Sequence, residues 1–104
     1  NHIGPEGAQH LSTLINLEKL YLGGNKISDA GARHLSGLTN LVKLSLGMDQ
    51  IGPEGAQYLR PLTNLTKMYL AAYEIDLKAQ KKSQKALKRA LPQCKISLNI
   101  LFDA

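Results

Sequence analysis

The chain has 104 residues, of which 43 % are hydrophobic and 20 % charged, with a net charge of +5 and a single cysteine. That length bounds it to one domain. The lone cysteine excludes an internal disulfide framework, and no apolar run reaches the ~20 residues of a membrane-spanning helix. The charge is unevenly placed: residues 1–77 carry six Lys/Arg and seven Asp/Glu, whereas residues 78–104 carry seven Lys/Arg and one acid. The opening Asn-His-Ile-Gly-Pro shows no basic-then-apolar leader pattern, and the compartment, cytoplasmic or secreted, stays open.

In chain order the sequence repeats itself with a period of 24 residues, in Ile3–Lys26, Ile27–Gln50 and Ile51–Glu74. Each copy follows I-x-x-x-G-A-x-x-L-x-x-L-x-N-L-x-x-L/M-x-L. Such a period predicts a solenoid, in which each unit buries its apolar face only against its neighbours. Within a unit the hydrophobic spacing switches. Ala8, Leu11 and Leu14 are three apart and suit a short helix with one buried stripe; Leu20 and Leu22 alternate with polar neighbours, as in a half-buried strand. The pairs Gly7-Ala8, Gly31-Ala32 and Gly55-Ala56 place small residues where helix and sheet should approach closely. Gly4-Pro5 and Gly52-Pro53 read as helix starts with Pro at the first position. Ser28-Asp29 and Asp76 read as side-chain caps of the next helices. The expected architecture is α/β: a parallel sheet on the concave face and short helices on the convex face.

The chain begins in mid-unit, which predicts either a fragment of a longer repeat array, the reading preferred, or a homodimer through the uncapped N-terminal end. The last unit, 75–104, is longer than the others by about one helical turn. Its helix is expected over Leu77 to Ala90, followed by Pro92 and a closing strand from Cys94-Lys95-Ile96. A polar terminal unit of this kind is what a solenoid needs as a cap.

Leu17–Asn25, read as Leu-x-x-Leu-x-Leu-x-x-Asn, resembles a leucine-rich repeat. The Gly-Ala helix and the Leu-Thr-Asn-Leu segments Leu38–Leu41 and Leu62–Leu65 are similar to the bacterial 24-residue type named for its Gly-Ala-Leu-Ala (GALA-like) helix, found in secreted effectors. The resemblance covers residues 1 to about 98 and implies a fold more than a ligand. The family's Asn ladder, which satisfies backbone groups after the strand, would stand at Asn1 and Asn25 but becomes Asp49 and Tyr73.

Alternation along the strands predicts the solvent-facing residues of the sheet. Lys19, Lys43, Lys67 and Lys95 form one ladder, beside Tyr21, Ser45, Tyr69 and Ser97; Gly23, Gly47, Ala71 and Asn99 form a third row. Like charges at a strand spacing of about 4.8 Å repel by somewhat under ~1 kcal/mol per pair in water, so the row does not help the fold. It reads as a strip for an acidic protein partner with tyrosine anchors, set against the alternative of a merely solvated sheet surface. Lys78, Lys81, Lys82, Lys85 and Arg89 share a face of the last helix. An anionic surface, nucleic acid or membrane, is the alternative there, but stacking aromatics and apolar wedges are missing and neither is expected as partner. His10, His34 and Tyr58 occupy equivalent slots without ligand spacing, and Cys94 reads as a structural thiol; no metal or cofactor is expected. Without a phosphate-cradling Gly loop, G-x-S-x-G or H-E-x-x-H, no enzyme chemistry is expected from these residues. The reading is a non-catalytic protein–protein recognition module. The alternative is a substrate-recognition arm of a larger bacterial effector or enzyme.

Overall fold

The computed structural model describes residues 4–22, 27–47 and 51–101, with Pro5 described by its backbone alone. The elements alternate: α1 Gly4–Leu11, β1 Lys19–Tyr21, α2 Ser28–Leu35, β2 Lys43–Gly47, α3 Pro53–Tyr58, β3 Lys67–Tyr73, a 3₁₀ turn Glu74–Asp76, α4 Leu77–Ala90 and β4 Lys95–Leu101. The strands form one parallel sheet in sequence order, β1-β2-β3-β4. Helix follows strand and strand follows helix because the hydrophobic spacing changes once per repeat. The expected ladder residues Asn1, Asn25, Asp49 and Gly23 lie outside the described residues.

The leucines at spacing three do not all belong to helices. Leu38 and Leu41 donate their backbone N–H to the carbonyls of Leu35 and Leu38 at 3.0 and 3.1 Å, and Leu62 and Leu65 to those of Leu59 and Leu62 at the same distances. These are successive three-residue turns, in which side chains at i and i+3 eclipse. The geometry stacks Leu35, Leu38 and Leu41, and then Leu59, Leu62 and Leu65, all 0 % exposed. Leu14 makes the same turn beyond the end of α1 but is 46 % exposed, at the edge of the sheet where no other described unit packs on it.

Two of the glycines in the Gly-Ala pairs, Gly31 and Gly55, stand where one helix meets the next. A Cβ on Gly31 would strike Ile27 and come within 3.6 Å of Ala8 Cβ in α1. One on Gly55 would strike the Asp29 carboxylate of α2 and lie 2.7 Å from Ile51 Cγ2 and 3.0 Å from Asp29 Cα. The alanines beside them, Ala32 and Ala56, are buried. Small residues therefore set the approach of neighbouring repeats on the helical side.

Two of the expected caps are not side-chain caps. Ser28 sits in α2 at φ 59 with helical backbone before it at Ile27, so it lacks the extended conformation a capping residue needs. Asp29 instead accepts the Gly52 N–H at 2.7 Å, at the start of the next helix. Asp76 makes no side-chain cap either; the 3₁₀ turn runs directly into α4, and the Leu77 N–H donates to Glu74 O. Pro53 does begin α3, after an extended Gly52, whereas Pro5 is second in α1 after Gly4.

The long last helix, 14 residues, falls on the expected Leu77–Ala90. It turns Gln80, Ser83 and Leu87 inward and leaves its lysines outside. Ile75, in the slot of the buried Ile27 and Ile51, is 90 % exposed: the lead-in turn carries it away from the core.

Candidate functional site on the open face of the sheet

Helices pack on one face of the sheet, so Leu20, Leu44, Met68 and Ile96 point into the core and their neighbours point away. The open face is built by the strand entries. Val42 and Lys43 N–H both donate to Glu18 O at 2.7 and 3.1 Å, and Thr66 and Lys67 N–H both donate to Val42 O at 2.9 and 3.2 Å. Lys95 N–H donates to Thr66 O at 2.8 Å. Every strand after the first is thus tied to the preceding unit at the residue that carries its lysine.

The register brings all seven sequence-predicted site residues onto one face. Lys19 pairs with Lys43, Lys43 with Lys67 and Lys67 with Lys95. Two residues on, Tyr21, Ser45, Tyr69 and Ser97 form the second row. Lys19, Lys67 and Lys95 are exposed and Lys43 is half-buried; Tyr21 is 63 % exposed at the sheet edge, while Tyr69 is half-buried. No ion pair engages the four lysines among the described residues. The row is a line of donors and positive charge that no described acid neutralises.

The third expected row fails. Gly47 pairs with Leu70 instead of Ala71, because the register shifts between Ser45 and Gly47. Gly47 has φ 55, a left-handed conformation that an ordinary side chain resists, and the extra residue is a β-bulge. Beyond it, among the described residues, the face is continued by β3 and β4, through Ala71 beside Asn99 and Tyr73 beside Leu101. Tyr73, where the Asn ladder is lost, is half-buried and extends the aromatic side of this face.

Sequence reasoning gave no role to the template's Asn before each strand. Asn40 Nδ2 donates to Ile15 O at 2.9 Å and Asn64 Nδ2 to Thr39 O at 3.1 Å, each reaching into the preceding unit. Gln93 takes that place in the last unit, donating to Leu62 O and Leu65 O at 3.4 Å. Asn16, Asn40 and Asn64, with Glu18, Val42 and Thr66, line an open groove of about 510 Å³ beside the lysine row. Gln80 was also missed. It is 1 % exposed and donates through Nε2 to Gly47 O and Ala71 O, both at 3.1 Å. It closes the strand ends where the bulge interrupts the ladder. For the asparagines the signal was their recurrence every 24 residues, at Asn16, Asn40 and Asn64.

On the opposite side, Lys82, Lys85 and Arg89 of α4 line a groove of about 330 Å³ with Ala86, Pro53 and Gln57. Arg60 Nη1 donates to Gln57 Oε1 at 3.0 Å at its edge. His10, His34 and Tyr58 lie along the helices; among the described residues no three metal-ligating side chains converge. Cys94 is 8 % exposed, and burial pushes its thiol up from 9.0 to about 11. It fills the core position held by Leu41 and Leu65, consistent with an inert thiol. No described helix is long and apolar enough to cross a membrane.

Residues 15–55 match the family model for Leucine Rich repeats (2 copies), which takes in β1, α2 and β2. No curated protein matches the chain. Repeats of this kind generally mediate protein–protein interaction and are typically non-catalytic. The periodic leucines, the strand of each matched unit and the register between them agree with that match to leucine-rich repeats over residues 15–55.

Proposed function

We propose that this chain is a non-catalytic recognition module that binds an acidic protein partner on the open, concave face of its sheet. In this reading residues 3–26, 27–50, 51–74 and 75–104 form one solenoid domain, and α4 with β4 caps it. The observation that carries the proposal is the lysine row: four cations in strict register, without acidic partners among the described residues, beside tyrosines that are partly exposed. Like charges so placed gain favourable energy only when something anionic is brought to them, and tyrosine supplies contact area at low entropic cost. Lys19, Tyr21, Lys43, Ser45, Lys67, Tyr69 and Lys95 are the contact residues.

The test uses binders selected from a random peptide library on the wild-type protein. Lys43→Ala/Lys67→Ala weakens those binders by about tenfold or more if the row carries recognition. Unchanged affinity overturns the reading. A second reading is favoured by the cationic groove between α3 and α4, whose lining of Lys82, Lys85 and Arg89 also lacks acidic partners among the described residues. There an anionic surface would be held instead, and its binding would fall steeply with salt.

A further inference from the structure

We propose that the segment seated on the lysine row is an acidic α-helix lying across the strands and presenting one carboxylate per turn. The proposal rests on the recognition reading above and adds the shape of the partner.

Spacing carries it. Consecutive lysines belong to consecutive hydrogen-bonded strands, so their Cα atoms repeat about every 4.8 Å, and the row spans about 14 Å. An α-helix repeats a side chain on one face about every 5.4 Å, so four carboxylates at i, i+4, i+7 and i+11 span about 16 Å. Flexible lysine stems absorb a difference that small. An extended peptide repeats same-face side chains about every 6.8 Å and spans about 20 Å over four of them. It therefore falls out of step with the row by more than one strand. An extended segment running along the strands would meet one lysine only.

The second row gives an independent match. Tyr21 and Tyr69 are two strands apart, as are Ser45 and Ser97 between and beyond them. That is about 9.6 Å from ridge to ridge and from notch to notch. Seven residues of helix advance about 10.5 Å, so an apolar side chain at every heptad position meets each notch in turn. The face thus reads a specific pattern: carboxylates once per turn on one stripe and bulky apolar residues once per two turns on the next. Helix-on-groove recognition works through such periodic anchors.

The experiment compares three synthetic peptides of identical composition by fluorescence anisotropy, with circular dichroism reporting their helicity. The first is helical with glutamates at i, i+4, i+7 and i+11 and leucines at heptad spacing. The second carries its prolines inside the segment and cannot form a helix; the third is helical with its glutamates spread around the axis. For matched composition, all three hold the same prolines, placed at the ends in the helical two. The expected result is that the first binds about tenfold or more tighter than the others, and that Lys43→Ala/Lys67→Ala removes the preference. Equal binding by the proline-broken peptide, still sensitive to the lysine pair, overturns the helix while the recognition face stands. Binding insensitive to the lysine pair overturns both. No binding by the first peptide at millimolar concentration overturns the helix proposal.

Discussion

Gly55→Ala tests how neighbouring repeats are spaced. Gly55 lies within α3 with no left-handed backbone to require glycine, so helix propensity alone favours alanine by about 1 kcal/mol. The site opposes that gain. The new methyl would strike the Asp29 carboxylate and lie 2.7 Å from Ile51 Cγ2 and 3.0 Å from Asp29 Cα, a backbone atom that cannot swing aside. Overpacking of this kind costs about 1–3 kcal/mol. Displacing the carboxylate also breaks its bond to the Gly52 N–H, 2.7 Å long, and a bond to a charged group contributes about 1.5–3 kcal/mol. The balance is a loss of about 1.5–5 kcal/mol, or roughly 6 °C or more in Tm for a domain of this size. Gly37→Ala is the control: a Cβ there meets nothing within 4 Å, and alanine should be neutral or stabilise by about 0.4–1 kcal/mol. Urea and thermal unfolding followed by circular dichroism measure both. In an Asp29→Ala background the cost of Gly55→Ala should shrink without vanishing, since Ile51 and the residue 29 backbone remain. A Gly55→Ala protein that melts at or above the wild type would refute the reasoning.

Gln80→Ala should cost about 1–3 kcal/mol, because it removes the donor from the carbonyls of Gly47 and Ala71 in a nearly water-free position; urea unfolding reads the loss, and an unchanged midpoint would show those carbonyls satisfied without it. The Cys94 thiol should react with a disulfide reagent at pH 8 about a hundredfold more slowly in the folded protein than in urea, following its thiolate fraction. Because burial raises that thiol to about 11 from 9.0, the unfolded chain releases its proton first as pH rises, so the contribution is intact below pH 9 and is lost between about 9 and 11. Cys94→Val should flatten the alkaline fall in stability relative to the wild type, and parallel curves would contradict the assignment.

The parts of the molecule that repeat were readable in advance, because a repeated position reports its environment several times. Leu44, Met68 and Ile96 inward and Lys43, Lys67 and Lys95 outward follow from alternation alone. The last helix was readable from helix-forming residues that end before Pro92. What escaped acts between repeats. Asp29 looks like a local cap, yet its partner lies 23 residues on. Asn40 and Asn64 look like turn residues, yet each reaches back 25 residues. A local motif does not state which neighbour a short polar side chain will find once the turns stack. The bulge did leave a trace, since Gly47 stands where the next repeat has Ala71, but a single glycine in a strand does not say which way the register moves.

The central claim, that recognition uses the open face of the sheet, is tested most directly by two charge reversals of equal size on opposite faces. Lys43→Glu/Lys67→Glu acts on the lysine row and Lys82→Glu/Lys85→Glu on the groove beside α4, so each lowers the net charge by the same amount. Affinity for the selected acidic binders is measured for both after circular dichroism has shown that they fold. The account predicts a loss of about a hundredfold for the first pair and less than about threefold for the second. Equal losses would mean that net charge alone attracts the binders, and a reversed order would move the site to the convex groove.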